Sequence, residues 1–292
     1  MKTNKIYPTY FWIPAVVIYA VFCFTPGILG LGYSFTDWNS FSPDIHFVGL
    51  KNYQEVFLES EKYRHLIMNT VWFTFVTTIT KTVFAILLAL LLVNKKVIGR
   101  NFHRTVAFTP QILSYLIVGL VFRSMLHPST GFINTTLNSM GLDFLAQKWL
   151  TDLDIAFYTI MFVDTWKGVG YVMMVVIAGL NSISPSYYEA ASIDGASFLQ
   201  KFFRITMPLL RPVILNITIL SLTYGLRVFD IVYSLTGGGP GYATGVISTG
   251  IYEEFSKGNY AIGTTLSSII FIVVALLSFL IIKSMEHKEV EA

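Results

Sequence analysis

Of the 292 residues, 54% are hydrophobic, 15% aromatic and only 13% charged, about half the charged share of a soluble globular domain. That balance excludes an ordinary soluble fold and points to a chain that crosses a membrane several times. A net charge of +3 is too small to indicate nucleic acid. Cys23 is the sole cysteine, which rules out an intrachain disulfide or thiolate cluster, and the five histidines show no metal-ligand spacing.

A membrane-crossing helix needs about 20 mostly apolar residues, and six stretches qualify: 10–33, 68–93, 106–126, 155–180, 213–235 and 260–283. The expected fold class is an all-α polytopic membrane protein, a single transmembrane domain over residues 1–292. The first stretch follows Lys2 and Lys5 as a secretory signal would. Its apolar run is too long and lacks a small-residue cleavage site, so it reads as an uncleaved first helix. The loop 37–67 carries Asp37, Asp44, Glu55, Glu59 and Glu61, with a short interfacial helix expected over 55–65. Pro110 lies at the inner start of the third span, followed by Gln111, Ser114 and Tyr115. Such a position marks a broken, ligand-lining helix in many transporters; an ordinary proline in a first turn is the equal alternative. The next loop, 127–154, holds the turn residues 128–131 and a short amphipathic run, 132–140.

Five ionisable residues fall inside spans: Lys81, Asp164, Lys167, Arg227 and Asp230. Such groups are costly in hydrocarbon and face a bundle interior or an aqueous cavity. Asp164/Lys167 and Arg227/Asp230 are opposite charges at i,i+3, neighbours on one helix face. Trp166, Gly168 and Tyr171 flank the first pair; Ser221, Tyr224 and Gly225 flank the second. Flat aromatic faces beside directional hydrogen-bonding groups suit a sugar, while the plainer alternative is that each pair only holds helices together. Lys81 reads as a structural interior lysine.

Between the fourth and fifth spans lies a polar, helix-prone island, residues 184–212. Ser184 followed by Pro185 is an N-cap with proline at the first helical position. The helix stops at Asp194-Gly195. Ser197 with Gln200 forms a capping box for a second helix, 198–207, which is expected to end against Pro208. The expectation is two short helices hinged at Gly195. Beyond the fifth span, the glycines of 236–241 with Pro240 demand an irregular turn.

Basic residues orient the chain. With the N-terminus inside, the inner segments hold Lys2, Lys5, Lys95, Lys96, Arg100, Arg104, Lys201, Arg204, Arg211, Lys283 and Lys288. The longer outer loops hold only Lys51, Lys62, Arg64, Lys148 and Lys257. Both termini and the island are therefore expected in the cytoplasm. No phosphate-cradling G-x-x-x-x-G-K-[ST] occurs, nor G-x-S-x-G or H-E-x-x-H, so the chain is not expected to be an enzyme or to hydrolyse ATP itself.

Glu189-Ala190-Ala191, Gly195 after three intervening residues, then Ile205 and Pro208, resembles the EAA loop of binding-protein-dependent ABC importer permeases, with Met207 where leucine is usual. Other stretches are similar to the carbohydrate branch, on the side of the first permease of the maltose or multiple-sugar type: Tyr33-Ser34-Phe35-Thr36-Asp37-Trp38, Val48-Gly49-Leu50-Lys51-Asn52-Tyr53, Asn69-Thr70, Gly131-Phe132-Ile133-Asn134, Ala178-Gly179-Leu180, and Phe229-Asp230 with residues 235–241. The resemblance covers residues 11 to 283. It implies a type I ABC importer permease fold with six transmembrane helices and a cytoplasmic coupling helix, in a bacterial or archaeal cell membrane. It implies a second, similar permease, two cytoplasmic ABC ATPase subunits that bind ATP and Mg, and an extracytoplasmic sugar-binding protein. It assigns Tyr188, Glu189, Ala190, Ala191, Asp194, Gly195, Ile205 and Pro208 to ATPase coupling. It assigns Gln111, Tyr115, Asp164, Gly168, Tyr171, Ser221, Tyr224 and Arg227 to substrate binding. A permease for glycerol phosphate or another polyol shares these motifs, and a membrane scaffold without transport is the alternative from another class.

Overall fold

A computed structural model describes residues 9–289. Lys2 and Lys5, placed above on the inner side, lie outside the described residues, as does the side chain of Lys288. Among the described residues the regular structure is helical, the one exception being a single bridge between Thr36 and Phe47. The helices in chain order are α1 (Tyr10–Tyr33), α2 (Lys51–Gln54), α3 (Glu61–Val93), α4 (Arg100–Ile112), α5 (Tyr115–Met125), α6 (Phe132–Ser139), α7 (Ala156–Ser182), α8 (Pro185–Ile193), α9 (Phe198–Leu226), α10 (Asp230–Thr236), α11 (Ile247–Ser256) and α12 (Tyr260–Glu289). Among the described residues five are long and apolar enough to cross a membrane, six when the bent pair α4 and α5 is counted as one span.

The chain forms two compact units: the described residues through Arg64 with Gly250–Val273, and His65–Thr249 with the chain from Val274. In the first unit α1 is exposed along nearly its whole length. The segments around Ser34 and Asn52 lock together, because the buried Asn52 amide donates to the carbonyl oxygens of Ser34 and Thr36, each at 2.8 Å. The expected interfacial helix takes another form: α2 runs into a π turn, Glu55–Glu59, and Ser60 is extended before α3 begins. Lys62 bridges Glu253 and Glu254, each at 2.9 Å. Burial of Glu254 works against its charge, but the donors of Asn259 and Lys62 outweigh it and hold the carboxyl below its usual value.

Two apolar clusters build the second unit. One gathers Phe73, Val118, Ile160, Val163, Ile231 and Leu235 from α3, α5, α7 and α10. The other joins Ala85, Ala89, Met173, Val176, Leu210 and Ile217 from α3, α7 and α9. Helices in a bilayer gain no hydrophobic advantage by touching, so close van der Waals approach must hold them, and small residues permit it. Gly170 of α7 is such a point: a Cβ there would fall on the backbone of Ala107 and Phe108 in α4.

Two spans depart from straight helices. The third is broken at Leu113 and Ser114, both extended, and α4 and α5 meet at 99°. Pro110 sits near the end of α4, and Ser114 caps α5 by accepting from the Leu116 N–H. The fifth span is longer at its N-terminal end and shorter at its C-terminal end than the apolar pattern suggests. Instead of ending against Pro208, the second island helix runs through Pro208 and Pro212 as α9. The physical reason is a π turn, Phe202–Thr206, whose wider ring accommodates a proline that lacks its donor and crowds the preceding turn. At the other end α9 stops at Leu226, residues 227–229 are irregular, and α10 starts at Asp230. Past α10, Gly237, Gly238 and Gly241 take positive φ in the expected irregular turn.

Candidate functional site

Lys81 stands mid-helix on α3 and is almost wholly buried. Its Nζ lies 2.5 Å from Asp164 Oδ2 on α7, with side-chain exposures of 6% and 0%. Gly168, one turn along α7, makes the room: a Cβ there would come within 2.9 Å of Lys81 Cε. The other oxygen of Asp164 accepts the Tyr224 hydroxyl from α9 at 2.9 Å. Gly225 lets α9 approach, since a Cβ there would meet Thr74 Cα of α3 at 2.8 Å. Lys81 thus ties three helices through one carboxylate, and its ammonium also sits 4.6 Å from the Tyr224 ring centre.

Lys167 turns elsewhere. Its Nζ donates to the Gln111 carbonyl at 3.3 Å, in the last turn of α4, and lies 3.9 Å from the Tyr115 ring centre. A cation at a helix C-terminus meets the negative end of the helix dipole, and a ring face adds cation–π attraction. Tyr115 and Tyr224 stack on each other, centroids 5.7 Å apart and planes at 20°. The expected Asp164–Lys167 pair therefore does not form. The short aspartate is already paired with Lys81 and bonded by Tyr224, and the longer lysine reaches the carbonyl left free by the break in the third span.

Against this network lies a cavity of about 230 Å³, lined by Lys81, Gln111, Tyr115, Gly168, Tyr171, Val172, Ile217, Leu220, Ser221 and Tyr224. Gln111, Tyr115, Gly168, Tyr171, Ser221 and Tyr224, singled out from the sequence, meet on this one wall. Asp164 is buried behind it. Arg227 is exposed and outside the wall, and Asp230 is exposed as well. The helix break between them removes the i,i+3 neighbourhood that would have paired them. Lys81 is the wall residue that the sequence reading treated as structural, although a lysine in the middle of an apolar span was the available signal. Gln111 Oε1 is buried with no hydrogen-bond partner. Chemically, the wall offers a stacked aromatic pair, a hydroxyl, an amide oxygen in want of a donor, and an ammonium.

The island forms a second feature. Ser184 caps α8 and Ser197 makes the reciprocal capping box with Gln200, as the sequence indicates. Gly195 has φ +73°, a conformation that costs other L-residues a steric penalty. Tyr188 bonds Thr206 through their hydroxyls at 3.0 Å, and Lys201 donates to Ser192 at 2.7 Å, so the two arms are fastened together. Glu189, Ala190, Asp194 and Pro208 are exposed, while Ala191 and Ile205 are half-buried. Beside them stand Ile193, 87% exposed, and the exposed Phe198 and Leu199. The two fastened arms thus carry an uncovered apolar tip, the kind of surface that marks interaction sites in proteins.

Residues 81–288 match the family described as "Binding-protein-dependent transport system inner membrane component". The chain is 36% identical to the probable ABC transporter permease protein YurN of Bacillus subtilis, over 97% of each chain. It is also 36% identical to the trehalose/maltose transport system permease protein MalF of Thermococcus litoralis, covering 92% of this chain and 90% of that one. Among solved structures, a chain of a bacterial ABC transporter involved in the import of the acidic polysaccharide alginate superposes with a TM-score of 0.79 at 27% identity, covering 94% of this chain and 93% of that one.

Proposed function

This chain belongs to the family of inner-membrane components of binding-protein-dependent transport systems, and on that premise we propose that it forms the translocation path for a sugar or oligosaccharide in an ATP-driven importer. The observation that carries the reading is the cavity wall, where stacked Tyr115 and Tyr224 adjoin Gln111, Ser221 and Lys81 inside a bundle of apolar helices. Saccharides carry C–H faces that rest on aromatic rings and hydroxyls that need directional partners, and the wall offers both. Relatives named for trehalose/maltose and multiple-sugar transport favour the same substrate class.

ATP and Mg bind in separate cytoplasmic ATPase subunits, a second permease completes the path, and an extracytoplasmic binding protein delivers the saccharide. Both termini and the island face the cytoplasm. The elbow around Gly195 seats in a cleft of the ATPase, with Tyr188, Glu189, Ala190, Ala191, Asp194, Ile205 and Pro208 forming or bracing the contact. Because α9 is continuous from the island to Leu226, a movement of the elbow reaches Ser221 and Tyr224 as a rigid-body displacement. Asp164 positions Tyr224 from behind the wall.

Reconstitution of the complete complex in proteoliposomes tests the proposal. Saccharide uptake is expected only with both ATP and the binding protein present. ATP hydrolysis that never responds to any saccharide-loaded binding protein would contradict it.

A further inference from the structure

The charges around the cavity do not balance. Lys81 is the one charged side chain on its wall among the described residues. Asp164, the carboxylate beside it, is fully buried and already engaged by Lys81 and Tyr224. Lys167 adds a second ammonium directly behind Tyr115, 2% exposed, held by a ring face and by the Gln111 carbonyl, so two ammoniums share the one buried carboxylate of Asp164. A helix C-terminus carries about half a negative charge, so the carbonyl offsets Lys167 in part. Arg227 and Asp230 are of opposite sign, both exposed and both off the wall. The cavity is left facing an excess of positive charge, weakly screened inside a bundle of apolar helices.

We infer that the substrate of this cavity carries a carboxylate: an oligosaccharide containing a uronic acid, its carboxylate toward Lys81 and a hydroxyl donating to Gln111 Oε1. This rests on the saccharide-importer reading above and narrows it. A single excess charge matches a carboxylate better than a phosphate monoester, which brings about −1.5 to −2 at neutral pH. Asp164 and Asp230 would each repel an anion if they faced the cavity. Burial and pairing remove the first from the substrate's view, and the helix break takes the second off the wall.

The test uses the complete importer with its own binding protein and ATPase, offered two matched pools of di- to tetrasaccharides, one neutral and one with a uronate in every chain. Uptake of the uronate pool is expected to exceed that of the neutral pool about tenfold or more, the worth of one hydrogen bond to a charged group. Lys167→Gln, which removes the excess charge from behind the wall, is expected to shrink that ratio. So is the double variant Lys81→Gln/Asp164→Asn, which removes the ammonium from the wall without stranding a buried charge, if the single variant fails to assemble. Preference for the neutral pool, or a ratio unmoved in the variants that assemble, overturns the inference and leaves the importer reading standing. If neither pool enters and neither stimulates ATP hydrolysis, both fall together.

Discussion

Lys81 and Asp164 give the clearest quantitative test of how the bundle is held. The pair is 2.5 Å apart and almost wholly removed from solvent. Deleting one partner of a buried ion pair costs about 3–5 kcal/mol, because the survivor remains charged with nothing to answer it. In a membrane the unfolded chain finds other partners, so the lower end, about 3 kcal/mol, is expected here. Lys81→Gln alone strands the Asp164 carboxylate, and Asp164→Asn alone strands the ammonium while still accepting from Tyr224. The double variant strands neither charge. Denaturant unfolding in detergent of the original chain, both single variants and the double variant closes a double-mutant cycle. The double variant is expected to be more stable than the sum of the singles by about 1.5 kcal/mol or more. Additivity within about 0.5 kcal/mol would refute the reasoning and mean that the two charges do not depend on each other.

Outcomes at three other sites are expected. Gly195→Ala meets no atom within 4 Å, so its cost is the left-handed conformation alone, about 1–2 kcal/mol. Gly195→Pro cannot adopt that φ at all. It is expected to insert normally but to separate ATP hydrolysis from uptake, and ordinary coupled uptake by it would contradict the elbow's role. Gly170→Leu drives side-chain atoms into the α4 backbone and is expected to lower stability by at least about 1–3 kcal/mol in a detergent melt; Gly27→Leu, where a Cβ meets nothing within 4 Å, is the insensitive control. Glu254 titrates below its ordinary 4.5 in the folded protein, so its stabilisation is complete above that value and is lost as pH falls through the lower folded one. Glu254→Gln is therefore expected to flatten the acid side of the melting-temperature profile, and an unchanged acid limb would show that this cluster does not govern it.

The spans were legible because about 20 apolar residues in a row have few other uses, and α1, α7 and α12 begin close to where the pattern places them. Capping chemistry was equally plain at Ser184 and Ser197, where the signal is local. What the pattern could not display was geometry set by another helix. Pro208 looks like a terminator in one dimension, yet the π turn before it carries the helix through. Asp164 and Lys167 look like partners because periodicity reports only neighbours on one helix, whereas Asp164 pairs with a lysine about 80 residues earlier. The cavity wall was largely anticipated through family resemblance, and Lys81 escaped because its partner lies on a different span. Arg227 stands apart from the wall for a related reason: a break at 227–229 leaves no trace in hydropathy.

The central claim, that a saccharide passes against the wall formed by Gln111, Tyr115, Tyr171, Ser221 and Tyr224, is tested most directly by a single introduced thiol. Cys23 is the only native cysteine and is exposed, so Cys23→Ser provides a silent background for Ser221→Cys. In the reconstituted importer, a small polar thiol reagent is expected to label that cysteine and stop uptake, and a transported saccharide delivered by the binding protein is expected to slow the labelling. Labelling that leaves uptake intact, at a rate no saccharide changes, would contradict the account.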